Sequence, residues 1–137
     1  MGIEKFGTVS FTTETKAVDF VTYLEQGRVM TTKCKKCGVT YFPPKLDCPK
    51  CIASDMEWVE VKGNGKLLTY AVVNYGPTGF ENDAPYTLAI TDFADGLRIF
   101  GRMSRDIKES DIKIGMPVKV APVKLLDDRI SYEFQNI

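Results

Sequence analysis

The sequence contains no histidine in 137 residues. That absence removes the Ser-His and Cys-His arrangements of nucleophilic catalysis and the commonest general base. Any catalysis by this chain alone falls to carboxylates, lysines or tyrosines. There is no surplus of charge either: Lys plus Arg and Asp plus Glu each number 18, for a formal net charge of zero. Binding a polyanion rests largely on neutralising phosphates, so this balance argues against nucleic acid as a general partner. No apolar run approaches the ~20 residues that a bilayer-spanning helix needs. The opening residues, Met1-Gly2-Ile3-Glu4-Lys5-Phe6, have no apolar stretch behind their charges, unlike a secretory signal, and Phe6 breaks the myristoylation pattern. The expectation is a soluble, cytoplasmic protein with no membrane partner.

What is present falls into three stretches: an N-terminal arm and helix over 1–27, a cysteine-bearing ribbon over 28–62 and a β domain over 63–137. Ala17, Phe20, Val21 and Leu24 recur at the spacing of one helical stripe and predict a helix over 13–26. Thr12 or Thr13 is the expected cap, and Gly27 the left-handed residue past the end. Strands are expected over 28–33 and 56–62. Beyond them come an apolar run rich in β formers over 67–74 and short stretches with period-two alternation over 86–91, 97–102, 118–120 and 130–135. Turn signals at Gly63-Asn64-Gly65, Asp95-Gly96, Gly115-Met116-Pro117 and Asp127-Asp128 punctuate them. Residues 104–114 suit a helical turn or a loop between two strands. Five short strands with one such interruption fit a small Greek-key barrel of the OB type, with a β-sandwich as the structural competitor. Residues 75–85 form one long turn-rich connection, which reads equally as a solvated link and as a loop of the kind that carries binding. On 97–102, Arg98 and Arg102 share a face with Phe100 between them, and arginine forks suit phosphate.

The cysteines carry the sharpest signal. They stand as Cys34-Lys35-Lys36-Cys37 and Cys48-Pro49-Lys50-Cys51, two Cys-x-x-Cys pairs ten residues apart. In each pair a tight turn aims two sulfurs at one point, and two pairs complete the tetrahedron that Zn²⁺ prefers. Gly38 follows the first pair, where a positive φ is useful, whereas Ile52 follows the second, so that turn is expected to be less regular. A disulfide scaffold does not suit a chain with no secretion signal, and one thioredoxin-type motif would need a βαβ frame that is missing. Iron in the rubredoxin manner uses the same ligands and stays open as the rival metal. A centre of four thiolates leaves no position for substrate, so its role is structural. Lys33, Lys35, Lys36, Lys45 and Lys50 crowd the same ribbon and offset the charge of such a centre; a few cations also suffice for a small phosphorylated ligand.

These features resemble a family in which a rubredoxin-like zinc ribbon is fused to an OB fold, long catalogued as a domain of unknown function and associated with acyl-CoA. The resemblance rests on Cys34-Lys35-Lys36-Cys37-Gly38 running to Phe42-Pro43-Pro44, then Cys48-Pro49-Lys50-Cys51, Trp58-Val59-Glu60-Val61, Gly63-Asn64-Gly65-Lys66, Tyr70-Ala71-Val72-Val73, Ala84-Pro85-Tyr86 and Ile114-Gly115-Met116-Pro117-Val118. It covers nearly the whole chain from the helix onward. It implies a mainly β protein: helix, zinc ribbon, then a five-stranded OB barrel. It also implies a non-catalytic subunit beside a thiolase-fold enzyme, or a hydratase or aldolase, acting on acyl-CoA. Benzoylsuccinyl-CoA cleavage and acetoacetyl-CoA or hydroxymethylglutaryl-CoA chemistry are the expected settings, with a two-plus-two hetero-oligomer as the assembly. Within that reading, Lys35, Lys36 and Lys45 are candidates by residue type for the phosphates of CoA, and Tyr41, Phe42, Tyr75 and Phe80 for its adenine or for a partner surface. The other readings are an OB-fold nucleic-acid module and a stand-alone CoA-binding protein or carboxylate-based enzyme.

Overall fold

The computed structural model describes residues 2–8 and 15–137. After a short 3-10 turn at Ile3–Lys5, helix α1 spans Asp19–Glu25. It is shorter than the periodicity suggested, and the expected caps Thr12 and Thr13 lie outside the described residues. Its N-terminal neighbour Val18 offers no side-chain cap. A helix of seven residues is marginal by itself, so packing of its apolar face supports it. Phe20, Val21 and Leu24 are fully buried with Val29 and Ile130. The C-terminus closes as expected on Gly27, at φ 81°. Gly27 N–H donates to Leu24 O and Arg28 N–H to Tyr23 O, the paired bonds of a Schellman cap. The Arg28 guanidinium then lies over the Tyr23 ring at 5.1 Å.

A three-stranded antiparallel sheet follows: β1 (Met30–Cys34), β2 (Thr40–Tyr41) and β3 (Met56–Glu60), ordered β2-β1-β3. The remaining strands, β4 (Gly65–Val73), β5 (Tyr86–Asp92), β6 (Arg98–Met103), β7 (Pro117–Leu125) and β8 (Arg129–Gln135), close into a barrel ordered β4-β5-β6-β8-β7. Closure rests on the antiparallel pairs Gly65↔Val118 and Lys66↔Pro117 and on a parallel contact, Arg102↔Glu133 and Met103↔Phe134. A closed five-stranded barrel of this order is the OB architecture and excludes the sandwich. The segment expected to be a helical turn or a loop carries a 3-10 turn at Glu109–Asp111, and its Ile107 and Ile112 plug the core beside Leu67, Ile99, Met103, Val118 and Phe134.

The alternation on β6 holds in phase: Leu97, Ile99 and Gly101 face inward, and Arg98 and Phe100 outward. On β5 the phase is the reverse of what hydrophobicity suggests. Ala89 and Thr91 are the buried residues at 1% and 0% exposure, while Leu88 and Ile90 are half-buried. The reason is space. A Cβ placed on Gly65 would stand 2.4 Å from Thr91 Cγ2 and 2.8 Å from the Phe93 ring. Small barrels taper, and only small side chains fit inward where strands approach this closely.

An aromatic cluster joins the parts. Phe6 from the N-terminal arm, Phe20 from α1, Phe42 from the ribbon and Tyr132 from β8 meet with ring centroids 5.1–6.3 Å apart. The arm is also bonded to the barrel, with Gly7 N–H donating to Ile130 O at 2.8 Å and Arg129 Nε donating to Gly7 O. Among the described residues no helix is long and apolar enough to cross a membrane.

Candidate metal centre and its surroundings

β1 ends on Cys34, which places the first sulfur at the open end of the sheet. The chain then turns so that Cys34 N–H donates to Val39 O at 2.9 Å and Gly38 N–H returns to Cys34 O at 2.9 Å. The second turn repeats this pattern fourteen residues later. Cys48 N–H donates to Ala53 O and Ile52 N–H to Cys48 O, both at 2.8 Å. Ile52 adopts φ 51°, in the same left-handed region as Gly38 at 74°. The irregularity expected of the second turn is therefore absent from the hydrogen bonding and appears as backbone strain on a β-branched residue.

The two turns bring the four sulfurs together, all within 4.8 Å of one another. Cys34 and Cys51 Sγ are 3.9 Å apart, and Cys37 and Cys48 Sγ 3.8 Å. A tetrahedron with metal–sulfur bonds of about 2.3 Å has edges of about 3.8 Å, so the donor set fits a zinc-sized ion. The cysteines are free rather than disulfide-bonded. Cys34 and Cys48 are buried; Cys37 and Cys51 are half-buried. Without a cation the thiols compete. The Tyr41 hydroxyl, 3.3 Å from Cys48 Sγ, pulls the Cys48 thiol down to about 6. Cys51, hydrogen-bonded to Cys37 and removed from water, is pushed up to about 12. The same contact with Cys48 raises Tyr41 to about 12. A divalent cation resolves this competition by stabilising all four thiolates at once.

The other residues singled out from the sequence do not converge on one point. Lys35 pairs with Asp55 at 3.6 Å, and Lys45 lies over the Tyr41 ring at 5.3 Å. Lys36 is exposed on the first turn. Phe42 is packed in the aromatic cluster, edge-on to Tyr132. Tyr75 is 92% exposed. Phe80 packs toward Tyr86 and lines a groove of about 1060 Å³ between the N-terminal arm, the 79–83 loop and strands β6 to β8. Asp83 anchors that loop, 3.2 Å from Arg102 and 3.7 Å from Arg105. The Arg102 guanidinium also sits 4.4 Å over the Tyr86 ring. Arg98, its neighbour on the strand face, pairs instead with Asp92 at 2.8 Å. The Tyr41–Cys48 contact and the Asp83 anchor were not legible beforehand, because both depend on how loops return to the sheets.

Comparison with known proteins agrees with this geometry. Residues 22–57 match the family model described as the ChsH2 rubredoxin-like zinc ribbon domain, and residues 58–122 match the ChsH2 C-terminal OB-fold domain. A DUF35 domain-containing scaffold protein of Methanocaldococcus jannaschii is 40% identical over 97 residues, 70% of this chain and 68% of that protein. The benzoylsuccinyl-CoA thiolase subunit BbsA of Thauera aromatica is 29% identical over 110 residues, 77% of this chain and 74% of that one. Among solved structures, a chain of the Ltp2-ChsH2(DUF35) aldolase superposes with a TM-score of 0.76 at 25% identity, covering 93% of this chain and 98% of that one. Ribbon, barrel and their order along the chain thus place this protein in the DUF35 family of ChsH2-like zinc-ribbon and OB-fold proteins.

Proposed function

We propose that this chain is a non-catalytic scaffold subunit of a thiolase- or aldolase-type enzyme acting on acyl-CoA. The observation that carries the reading is the superposition, along nearly the full length of both chains, on a component of an aldolase assembly. The thiolase subunit from Thauera aromatica points the same way. The chemistry of the chain is consistent with it. All four thiols are gathered into one cluster, and a sequence with no histidine has no ordinary general base to set beside them. In this reading Cys34, Cys37, Cys48 and Cys51 hold a structural Zn²⁺, which fastens a ribbon too small to stand on its own apolar core. The working parts are the arm and helix over 1–27, the ribbon over 28–62 and the OB barrel over 63–137. The partner supplies the catalytic groups, in a hetero-oligomer of two plus two. Acyl-CoA binds where the subunits meet. Lys35, Lys36 and Lys45 stand near its phosphates, and Tyr75 and Phe80 near its adenine, while Tyr41 turns to Cys48 within the ribbon and Phe42 packs against Phe20 and Tyr132 in the aromatic cluster.

The test is co-expression of the tagged chain with a thiolase-fold or aldolase-fold protein encoded beside it, followed by light scattering of the purified material and metal analysis. A stoichiometric complex with one zinc per chain is expected. A chain that elutes alone, and binds single-stranded DNA in a salt-dependent way, would overturn the reading.

A further inference from the structure

Strand β1 carries two adjacent threonines sealed from solvent, Thr31 at 1% and Thr32 at 0% exposure. Buried hydroxyls need partners, and both find them on the chain running between the two cysteine turns. Thr31 Oγ1 donates to the Tyr41 carbonyl. Thr32 Oγ1 donates to the Lys45 carbonyl at 2.7 Å and accepts from Lys45 N–H at 2.8 Å. The segment from 41 to 45 is thereby pinned at both ends. Its first side chain is aimed as a result. The Tyr41 ring lies under Lys45 Nζ, and its hydroxyl reaches Cys48 Sγ. Cys48 Sγ also receives the Cys51 N–H at 3.4 Å. Among the described residues, no other cysteine has a hydroxyl partner.

We propose that Tyr41 is a positioning residue of the metal centre: its hydroxyl donates to the Cys48 thiolate and makes that sulfur the ligand most resistant to attack. The inference rests on the four-thiolate zinc reading above. Hydrogen bonds to an ionised acceptor are the strong ones. A sulfur that shares its lone pair with an O–H has less to offer an electrophile. Cys48 is buried as well as hydrogen-bonded, Cys34 is buried without a hydroxyl partner, and Cys37 and Cys51 are half-exposed. Attack at the centre therefore begins at Cys37 and Cys51 and reaches Cys48 last. Partners of this kind change metal affinity by roughly 10- to 100-fold in well-studied sites.

Tyr41→Phe removes one oxygen and keeps the ring and its lysine. The zinc-loaded variant is expected to transfer zinc to a chelating dye about tenfold faster than the parent chain. Loaded with cobalt(II), it should show its sulfur-to-metal charge-transfer band at lower energy, a change that mere loosening of the fold does not produce. Limited iodoacetamide labelling of the zinc-loaded parent chain, mapped by mass spectrometry, should modify Cys48 last, and Tyr41→Phe should abolish that rank. Lys45→Met keeps the hydroxyl and should show a smaller acceleration of the same sign. An unshifted cobalt band with unchanged release in Tyr41→Phe overturns the proposal, as does early labelling of Cys48 in the parent chain. If Tyr41→Phe fails to fold, the parent labelling order and Lys45→Met decide. A parent chain that retains no metal overturns both this inference and the zinc reading; retained zinc with an indistinguishable Tyr41→Phe overturns this inference alone.

Discussion

Gly38 and Ile52 occupy the same point of two turns with one backbone path. Each has positive φ, and each N–H closes on the carbonyl of the cysteine four residues earlier. Glycine takes this conformation freely, whereas a side chain in the left-handed region costs about 1–2 kcal/mol. The Ile52 side chain is 91% exposed, so little burial offsets that strain. Ile52→Gly relieves it, at the expense of about 0.5–1 kcal/mol from the freer unfolded chain. The expected result is a stability gain of up to about 1 kcal/mol by urea denaturation of the zinc-loaded protein. A clear loss would mean that the exposed side chain already has a partner.

Metal removal should divide the molecule. Structural zinc contributes on the order of 10 kcal/mol to small metal-held units, comparable to the whole stability of an ordinary domain. The sole tryptophan, Trp58, lies on β3 and packs on Tyr23 of α1 at 5.3 Å, so it reports on the ribbon. Strong chelation, or Cys48→Ser, should shift Trp58 emission to the red while far-UV dichroism retains the β signal of the barrel. Unchanged emission after verified metal loss would show that the sheet holds without the centre.

Two glycines should respond differently to alanine. At Gly27 nothing lies within 4 Å of the added methyl, so only the backbone at φ 81° resists, for about 1 kcal/mol. At Gly65 the methyl would strike Thr91 and Phe93 inside the closing barrel. Overpacking of this kind costs typically 1–3 kcal/mol, sometimes more. Thermal melts of the two variants should rank Gly65→Ala well below Gly27→Ala; the reverse order would contradict the account of the β5 phase.

The alkaline limit of stability should depend on Tyr132. Burial pushes its phenol from 10 up to about 12, and its hydroxyl donates to Phe100 O at 2.6 Å. An acid whose folded pKa is raised favours folding in its neutral form. That contribution is complete below pH 10 and is lost as the pH rises through 12. A shift of this size corresponds to about 3 kcal/mol. Tyr132→Phe should lose about 1 kcal/mol at neutral pH with its hydrogen bond and show a flatter decline between pH 10 and 12. Equal slopes in the two proteins would remove Tyr132 from the explanation.

Most of the architecture was legible because it depends on local pattern. Short alternating stretches bounded by glycine and aspartate turns specify the barrel strands, and two cysteine pairs specify the ribbon. What was not legible depends on distances between elements. The inward phase of β5 is set by Gly65 across the barrel, which no alternation within β5 reveals. Helix α1 begins at Asp19 rather than near 13; its apolar spacing shows which face it buries but not where its first turn closes. Tyr41 reads as one aromatic among several until Thr31 and Thr32 are seen to aim it. The available signal was weak: two adjacent threonines on a strand buried on both faces do not alternate in polarity, so the pattern hides their role.

The aromatic cluster has a mechanical consequence. Phe6, Phe20, Phe42 and Tyr132 come from four different regions, and each touches at least two of the others. Swinging the ribbon against the barrel would open several ring contacts together, each worth about 0.5–1.5 kcal/mol beyond its area. The protein therefore acts as a set-square rather than a hinge. Whatever grips its two arms is held at a fixed angle and spacing, and docking at the second arm does not have to freeze a swivel left free by the first.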